Sequence, residues 1–288
     1  MKSIVAIGLM ISVMAFNFAQ NDSHVVIKKD VTIANYFQYM DSLVNKFDSL
    51  CLFPINEHLI VRNNPWIIEK LANTDYYRMM ARDSFIYDQR EMVILKKNDT
   101  LKIPGLQKAL KIDSIFQRTH IDVNIPEFKL RIFLDNMMLH EFPIRVGQNR
   151  KRFLEMNQRM TDLKTQTGTG TIIRHSRDPD YYNPVDGKQF YFTKRDDDRV
   201  THMPIIPWIE TRIDDIQNGQ MIHPTTNPDT LGKAYSNGCI GTREADAWII
   251  YYYAPIGTAI TIRYDLDISD GNGNMLKLED IYDYRPNR

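Results

Sequence analysis

A mainly β domain preceded by a smaller α+β region is the fold class that this 288-residue sequence predicts. Three observations carry that expectation. Apolar residues between Ile33 and Phe47 recur at three- and four-residue steps, the period of a helix with one buried face. From Ile121 onward they alternate with polar residues, the period of half-buried strands. One further helical pattern, with apolar face Ala245, Trp248, Ile249 and Tyr252, interrupts the strands and stops before Pro255.

Composition narrows the function. Lys and Arg number 36, as do Asp and Glu, so the formal net charge is zero. The chain therefore lacks the electrostatic footprint expected of a nucleic-acid partner. With 43% hydrophobic residues it has enough apolar chain for a core, and its length allows one large domain or two. The two cysteines, Cys51 and Cys239, are too few for a disulfide scaffold and too far apart for a CxxC motif. A Cys51–Cys239 disulfide stays open as an alternative in an oxidising compartment.

Taken in order, residues 1–19 read as a signal peptide. Lys2 precedes an apolar run from Ile4 to Phe18, Ala19 supplies the small residue before the cut, and polarity begins at Gln20. About 15 apolar residues fall short of the ~20 that span a bilayer. Cleavage after Ala19 predicts an exported protein of the periplasm or cell envelope, without stable membrane insertion once the signal is removed. Residues 20–118 form the α+β region, of unknown role. They hold the helix from Ile33, a second short helix begun by Pro65, β-prone segments Phe85–Tyr87, Met92–Leu95 and Leu101–Ile103, and a turn at Lys97-Asn98-Asp99.

Residues 119–265 form the β domain. Phe128, Leu130, Ile132 and Leu134 alternate with Lys129, Arg131 and Phe133, and Asp135-Asn136 turns the chain into Met138–Val146. A polar stretch follows from Gly147 to Gly170, then strand Thr171–Arg174, a long Asp-, Pro- and Tyr-rich loop, and strand Ala259–Tyr264. The run Lys194-Arg195-Asp196-Asp197-Asp198-Arg199 reads as a solvated turn. Residues 266–288 are a Gly/Asn-containing extension.

No metal or cofactor is expected. Thr167-Gly168-Thr169-Gly170 lacks the third glycine of a dinucleotide loop and the Gly-Lys of a phosphate loop, and His140-Glu141 lacks the second histidine of a zinc-protease helix. The calcium-like tail from Asp265 has Asp270 where glycine is required and Leu276 where glutamate is required.

The chemistry concentrates between Met221 and Thr242. A thiol attacks an acyl carbon as thiolate and needs a base or a cation, often with a helix N-terminus, to reach that state. His223 supplies the base, and Thr242 is placed to cap the helix that follows Cys239. Gly238 suits a tight turn exposing the thiol, and the amides around Gly238 and Cys239 suit an oxyanion. The plainer alternative is a small buried cysteine and a satisfied loop histidine.

The run Ile222-His223-Pro224 through Ser236-Asn237-Gly238-Cys239-Ile240-Gly241-Thr242 resembles the active-site signature of the L,D-transpeptidase catalytic domain family. In that family a His-Gly-Thr-x-x-Pro segment leads to Ser-x-Gly-Cys-Ile-Arg. His202-Met203-Pro204 to Trp208, Thr165-Gln166-Thr167-Gly168 and Ile121–Gly147 are similar to further family elements, so the resemblance covers about residues 118–265. It implies a β-sandwich with a short helix after the cysteine, Cys239 as nucleophile and His223 as general base. Asn237, Gly238 and Ser236 are implied to shape the loop and oxyanion site, with Arg243, Thr242, Trp208 and Asn227 as substrate contacts.

The implied partners are peptidoglycan stem peptides. Cys239 would expel terminal D-Ala from a tetrapeptide stem, and an amine of another stem would take the acyl group, with an amine-bearing protein as an alternative acceptor. Transfer to water, as in an L,D-carboxypeptidase or endopeptidase, and a catalytically weak wall-binding protein are the rival functions. Four positions depart from the pattern: Pro224 for glycine, Asn237 for histidine, Gln166 for proline and Gly241 for arginine. Arg243 is the nearest cation in sequence to the missing one.

Overall fold

A computed structural model describes residues 21–270 and 272–284, so the signal segment expected at residues 1–19 lies outside the described residues. Two compact units emerge. The first comprises residues up to Leu71 with Arg90–Gln117, and the second Ala72–Gln89 with residues from Arg118 onward.

The first unit holds strands β1 (Ser23–Val26) and β2 (Val31–Thr32) and helices α1 (Ile33–Asp48), α2 (Glu57–Arg62) and α3 (Trp66–Ala72). Helix α4 (Tyr76–Met80) belongs to the second unit. Strands β3 (Val93–Leu95) and β4 (Thr100–Ile103) and helix α5 (Leu106–Arg118) follow. Helix α1 buries Ile33, Tyr36, Met40, Leu43 and Phe47, the spacing that puts five apolar side chains on one face. Each contributes roughly 1.5–3 kcal/mol by leaving water. Asn56 starts α2 by accepting the Leu59 amide at 2.9 Å. Leu59, Ile112 and Phe116 then pack α2 on α5. Strand β1 pairs with β4 and β2 with β3, both antiparallel. Phe85–Tyr87, expected as a strand, is irregular chain of the second unit.

The second unit is mainly β. Its strands are β5 (Thr119–Asn124), β6 (Lys129–Leu134), β7 (Met137–Pro143), β8 (Val146–Gly147), β9 (Lys151–Leu154), β10 (Arg159–Asp162), β11 (Gly168–Ser176), β12 (Phe192–Lys194), β13 (Val200–His202), β14 (Trp208–Ile213), β15 (Ile216–Pro224), β16 (Ala234–Ser236) and β17 (Ile240–Thr242). Helix α6 (Glu244–Tyr253) leads to β18 (Ala259–Arg263), β19 (Asp267–Ser269) and β20 (Met275–Lys277). Eight of them form one sheet in the order β17-β15-β14-β11-β18-β5-β6-β7, and the rest pair two by two. Within the eight-stranded sheet β15/β17 and β18/β5 are parallel and the other neighbours antiparallel, and the separate pair β16/β8 is parallel too.

Alternation explains the hairpin at the sheet's end. Ile121 and Val123 of β5 and Leu130 and Ile132 of β6 are fully buried, whereas His120, Asp122, Lys129, Arg131 and Phe133 beside them are partly exposed. Asp135, with φ +52°, makes the turn into β7. The polar stretch 147–170, to which the sequence assigns no element, carries a β9/β10 hairpin.

Two expectations need correction. Residues 194–199 are not simply a solvated turn. Arg195 is fully buried in an ion pair with Glu244, whose side chain is 1% exposed. Glu244 Oε2 also accepts the Tyr76 amide at 3.0 Å and Gln89 Nε2 at 2.7 Å. Arg195 donates to Thr201 Oγ1 and Gln89 Oε1 and stacks 4.5 Å from the Tyr76 ring centroid. Every charge is matched, as burial requires. The same bonds show why residues 72–89, which the sequence reading put in the N-terminal region, cluster with the β domain.

Candidate active site

Register alone brings the cysteine and the histidine together. In the β15/β17 pair Ile222 lies opposite Ile240, His223 opposite Gly241 and Pro224 opposite Thr242. Cys239 directly precedes β17, two residues before Gly241, and its thiol feels the backbone of Met221 in β15 and the charge of Arg145, which also acts on His223. Gly241 is in turn bridged on its other side to Arg145, with Arg145 N donating to Gly241 O at 2.9 Å and Gly241 N to Arg145 O at 3.0 Å. His223, Gly241 and Arg145 thus stand in a row across three chain segments, and Cys239 beside them.

The ring of His223 is held from two sides. Its Nδ1 lies 2.9 Å from the Pro224 carbonyl, which can only accept, so Nδ1 carries the proton and Nε2 is left as the basic nitrogen. Trp208 covers the ring with centroids 4.8 Å apart. Burial and the Arg145 charge push the imidazole down to about 4. Burial also pushes the Cys239 thiol up, against smaller lowering influences from the Met221 backbone and Arg145. At neutral pH the resting pair is therefore a neutral thiol beside a neutral imidazole.

The loop before the cysteine is braced throughout. Gly238 has φ +114°, a conformation that favours glycine. Ser236 Oγ accepts the Gly238 amide at 3.2 Å and donates to the Cys239 carbonyl at 2.5 Å. Thr165, fully buried, donates to the Gly238 carbonyl and accepts the Gly147 amide. Tyr282, from the C-terminal extension, accepts the Thr165 amide at 3.0 Å and donates to the Gly147 carbonyl at 2.8 Å. Because Ser236 Oγ occupies the Gly238 amide, that N–H is not free for the oxyanion contact expected of it.

The four expected substrate contacts have other engagements. Thr242 is fully buried as the last residue of β17 and is not the helix cap. Arg243 occupies the cap position without a side-chain bond, and Asp75 Oδ2 accepts the free Ala245 amide instead. With β17 intervening, Cys239 lies roughly 13 Å of extended chain ahead of that helix, beyond the reach of its dipole. Arg243 is exposed and its charge acts on Asp246, lowering a carboxyl that burial raises to about 6. The Asn227 amide donates to Lys194 O and Asp196 Oδ1, tying the histidine loop to residues 194–196. Tyr77 donates to the Thr226 carbonyl and accepts the Asp196 amide, completing that brace. Trp208 acts on His223 itself.

Arg145, Tyr77 and Tyr282 were not singled out from sequence, and Thr165 only as part of the element Thr165-Gln166-Thr167-Gly168. Arg145 carried one signal, a charged residue between the buried Ile144 and Val146. Cys51 and Cys239 are both free thiols, so the alternative disulfide does not form. Among the described residues no cluster of His, Cys, Asp or Glu could hold a metal, and no helix is long and apolar enough to cross a membrane.

YkuD of Bacillus subtilis (strain 168), whose curated name gives L,D-transpeptidase as a provisional designation, is 28% identical over 170 residues, 58% of this chain and 77% of that protein. Among solved structures, an L,D-transpeptidase from Mycobacterium smegmatis is 14% identical with a TM-score of 0.36, over 51% of this chain and 58% of that one. This chain thus spans less than two thirds of that protein's length. An L,D-transpeptidase from Xylanimonas cellulosilytica is 13% identical with a TM-score of 0.38, over 83% of this chain and 97% of that one. The profile of the L,D-transpeptidase catalytic domain (YkuD) matches residues 118–262, the stretch from the first strand of the main sheet through β18 that includes Arg145, His223 and Cys239. With just over half of its length so matched, the chain belongs to the L,D-transpeptidase catalytic domain family.

Proposed function

We propose that the protein is an exported, cysteine-dependent L,D-transpeptidase whose mature form begins at Gln20 and works on peptidoglycan stem peptides in the periplasm or cell envelope. Residues 119–265 are its catalytic part. The observation that supports this most is the pairing of β15 with β17, which sets His223 opposite Gly241 two residues from Cys239, with Nδ1 of His223 tied to the Pro224 carbonyl.

In this reading Nε2 takes the thiol proton as Sγ attacks the carbonyl carbon, because neither group is ionised at rest. The Asn237 and Cys239 amides hold the oxyanion. The C–N bond breaks as the imidazolium protonates the leaving D-Ala amine, and a thioester remains on Cys239. An amine of a second stem, or of a protein, then attacks it, Nε2 takes the amine proton, and the expelled thiolate recovers that proton. Mass analysis of disaccharide-tetrapeptide muropeptides incubated with the protein tests this, with Cys239→Ala as the blank. Cross-linked dimer that needs Cys239 is the expected product. Tripeptide alone would make the acceptor water, and no Cys239-dependent change would refute the enzyme reading.

A further inference from the structure

We propose that Arg145, laid across Gly241, is the substrate-positioning cation of this site. It holds the free carboxylate of the leaving residue, which makes the protein selective for donor peptides that end one residue beyond the scissile carbonyl. The inference rests on the reading of Cys239 as nucleophile.

The argument starts at Gly241, where the φ angle lies outside the region that favours glycine. The backbone would accept any residue, yet a Cβ there would lie 2.6 Å from Arg145 Nε, 2.7 Å from its Cγ and 3.0 Å from its Cδ. What excludes a side chain at 241 is thus the stem of Arg145, which fills the space a residue at 241 would otherwise use. Both residues face the side that His223 faces, by the register already given, and the Arg145 charge acts on His223 and Cys239 alike. The arginine absent from position 241 has been replaced from across the bridge, and Arg243 takes no part.

Arg145 is also short of acceptors. Nη1 meets only the neutral Thr230 hydroxyl at 3.2 Å, and the buried Nε has no acceptor among the described residues. Cys239, Tyr235 and Asp196 act on its charge without a paired carboxylate. A half-buried guanidinium with unused donors is a ready partner for an arriving carboxylate, which it can bind through two N–H groups. With the scissile carbonyl at Sγ, the nearest anionic group of a donor peptide is the α-carboxylate of the leaving residue. A donor one residue longer carries its carboxylate roughly 3.5 Å farther out, beyond that pairing.

Alkylation reads this charge without needing acyl transfer. In a Cys51→Ser background, where Cys239 is the remaining thiol, the rates with iodoacetate, an anion, and iodoacetamide, its neutral analogue, are compared at one pH. Their ratio cancels the thiolate fraction. Arg145→Gln is expected to lower the iodoacetate-to-iodoacetamide ratio at least fivefold, Arg145→Lys to keep most of it, and Arg145→Gly with Gly241→Arg to restore it in part. Gly241→Ala, which displaces the guanidinium while keeping Arg145, gives the same loss and serves if Arg145→Gln does not fold. For turnover, Arg145→Gln is expected to abolish the preference for tetrapeptide over its C-terminal amide, chiefly through KM. A ratio unchanged within twofold in both folded variants overturns the proposal. Cross-linking with an Arg145-independent ratio defeats this inference alone, whereas an Arg145-dependent ratio without any muropeptide product defeats the transpeptidase reading.

Discussion

Thr165 Oγ1 donates to the Gly238 carbonyl at 2.9 Å while accepting the Gly147 amide at 2.8 Å, so one hydroxyl ties β8 to the residue before Cys239. Thr165→Val keeps the shape and leaves two buried backbone groups unpaired, a loss of about 1–3 kcal/mol. Thr165→Ser keeps both bonds. Urea unfolding should show the valine variant destabilised and the serine variant near wild type, and Cys239 alkylation by iodoacetamide should slow only in the valine variant. Equal alkylation rates would mean that the loop does not depend on this brace.

Gly238 makes a different demand. Its Cβ position is open, with the nearest atoms, the Leu163 and Lys164 carbonyl oxygens, at 3.8 and 3.9 Å, so φ +114° alone selects glycine. Gly238→Ala should cost about 1–3 kcal/mol of backbone strain or rotate the 237–238 peptide and move the Asn237 and Cys239 amides proposed to hold the oxyanion. The expected result is a folded protein with a modestly lower Tm and acyl transfer reduced far beyond that change. Full turnover in Gly238→Ala would show that the loop tolerates another conformation.

Much of this was legible in the sequence, and the exceptions have physical reasons. Helix α1 announced itself because five apolar residues keep one period, and the β5–β6 hairpin because Ile121 and Val123, then Leu130, Ile132 and Leu134, keep a period of two on either side of the turn at residues 125–128. Cys239 and His223 stood out by type and neighbourhood. Arg145 did not, because its role depends on a bridge to a residue 96 positions away whose signal is an absent side chain. Thr242 looked like a cap because Thr commonly is one, and tertiary structure supplied Asp75 instead. Arg195 sat in a run of charges that composition alone assigns to solvent, and only the acceptors converging from residues 89, 201 and 244 draw it inside.

The histidines set an acid limit on stability. Burial lowers His223 and His175 from 6.5 to about 4. Between those values the unfolded chain binds protons that the folded chain refuses, so stability is complete above pH 6.5 and falls as pH drops toward 4. Each histidine contributes on the order of 3 kcal/mol over that window. Urea unfolding at pH 7.5, 6 and 4.5 should show the slope, and His223→Gln should remove about half of it. In the same way the acid limb of acyl transfer should lie near pH 4 to 5, well below that of an ordinary histidine base, because His223 stays unprotonated until then. A limb near 6.5 would place the titrating base elsewhere.

The buried Arg195–Glu244 pair gives an asymmetric prediction. Arg195 and Glu244 are 0% and 1% exposed, and Glu244 also accepts from Tyr76 N and Gln89 Nε2. Arg195→Met strands a carboxylate in the interior, for which losses of about 3–5 kcal/mol are usual. Glu244→Gln removes the charge but keeps an oxygen for the remaining donors, although it leaves the guanidinium uncompensated except by Gln89 and Thr201. Replacing both, as Arg195→Met with Glu244→Leu, deletes the mismatched charge and should recover part of the stability lost in Arg195→Met. Because Glu244 begins α6 and binds the chain at Tyr76, loosening it should also free residues 72–89, which limited proteolysis would register as new cleavage there. A double variant no more stable than Arg195→Met would mean that the pair's bonds to Tyr76, Gln89 and Thr201, and not its charge balance, hold this region together.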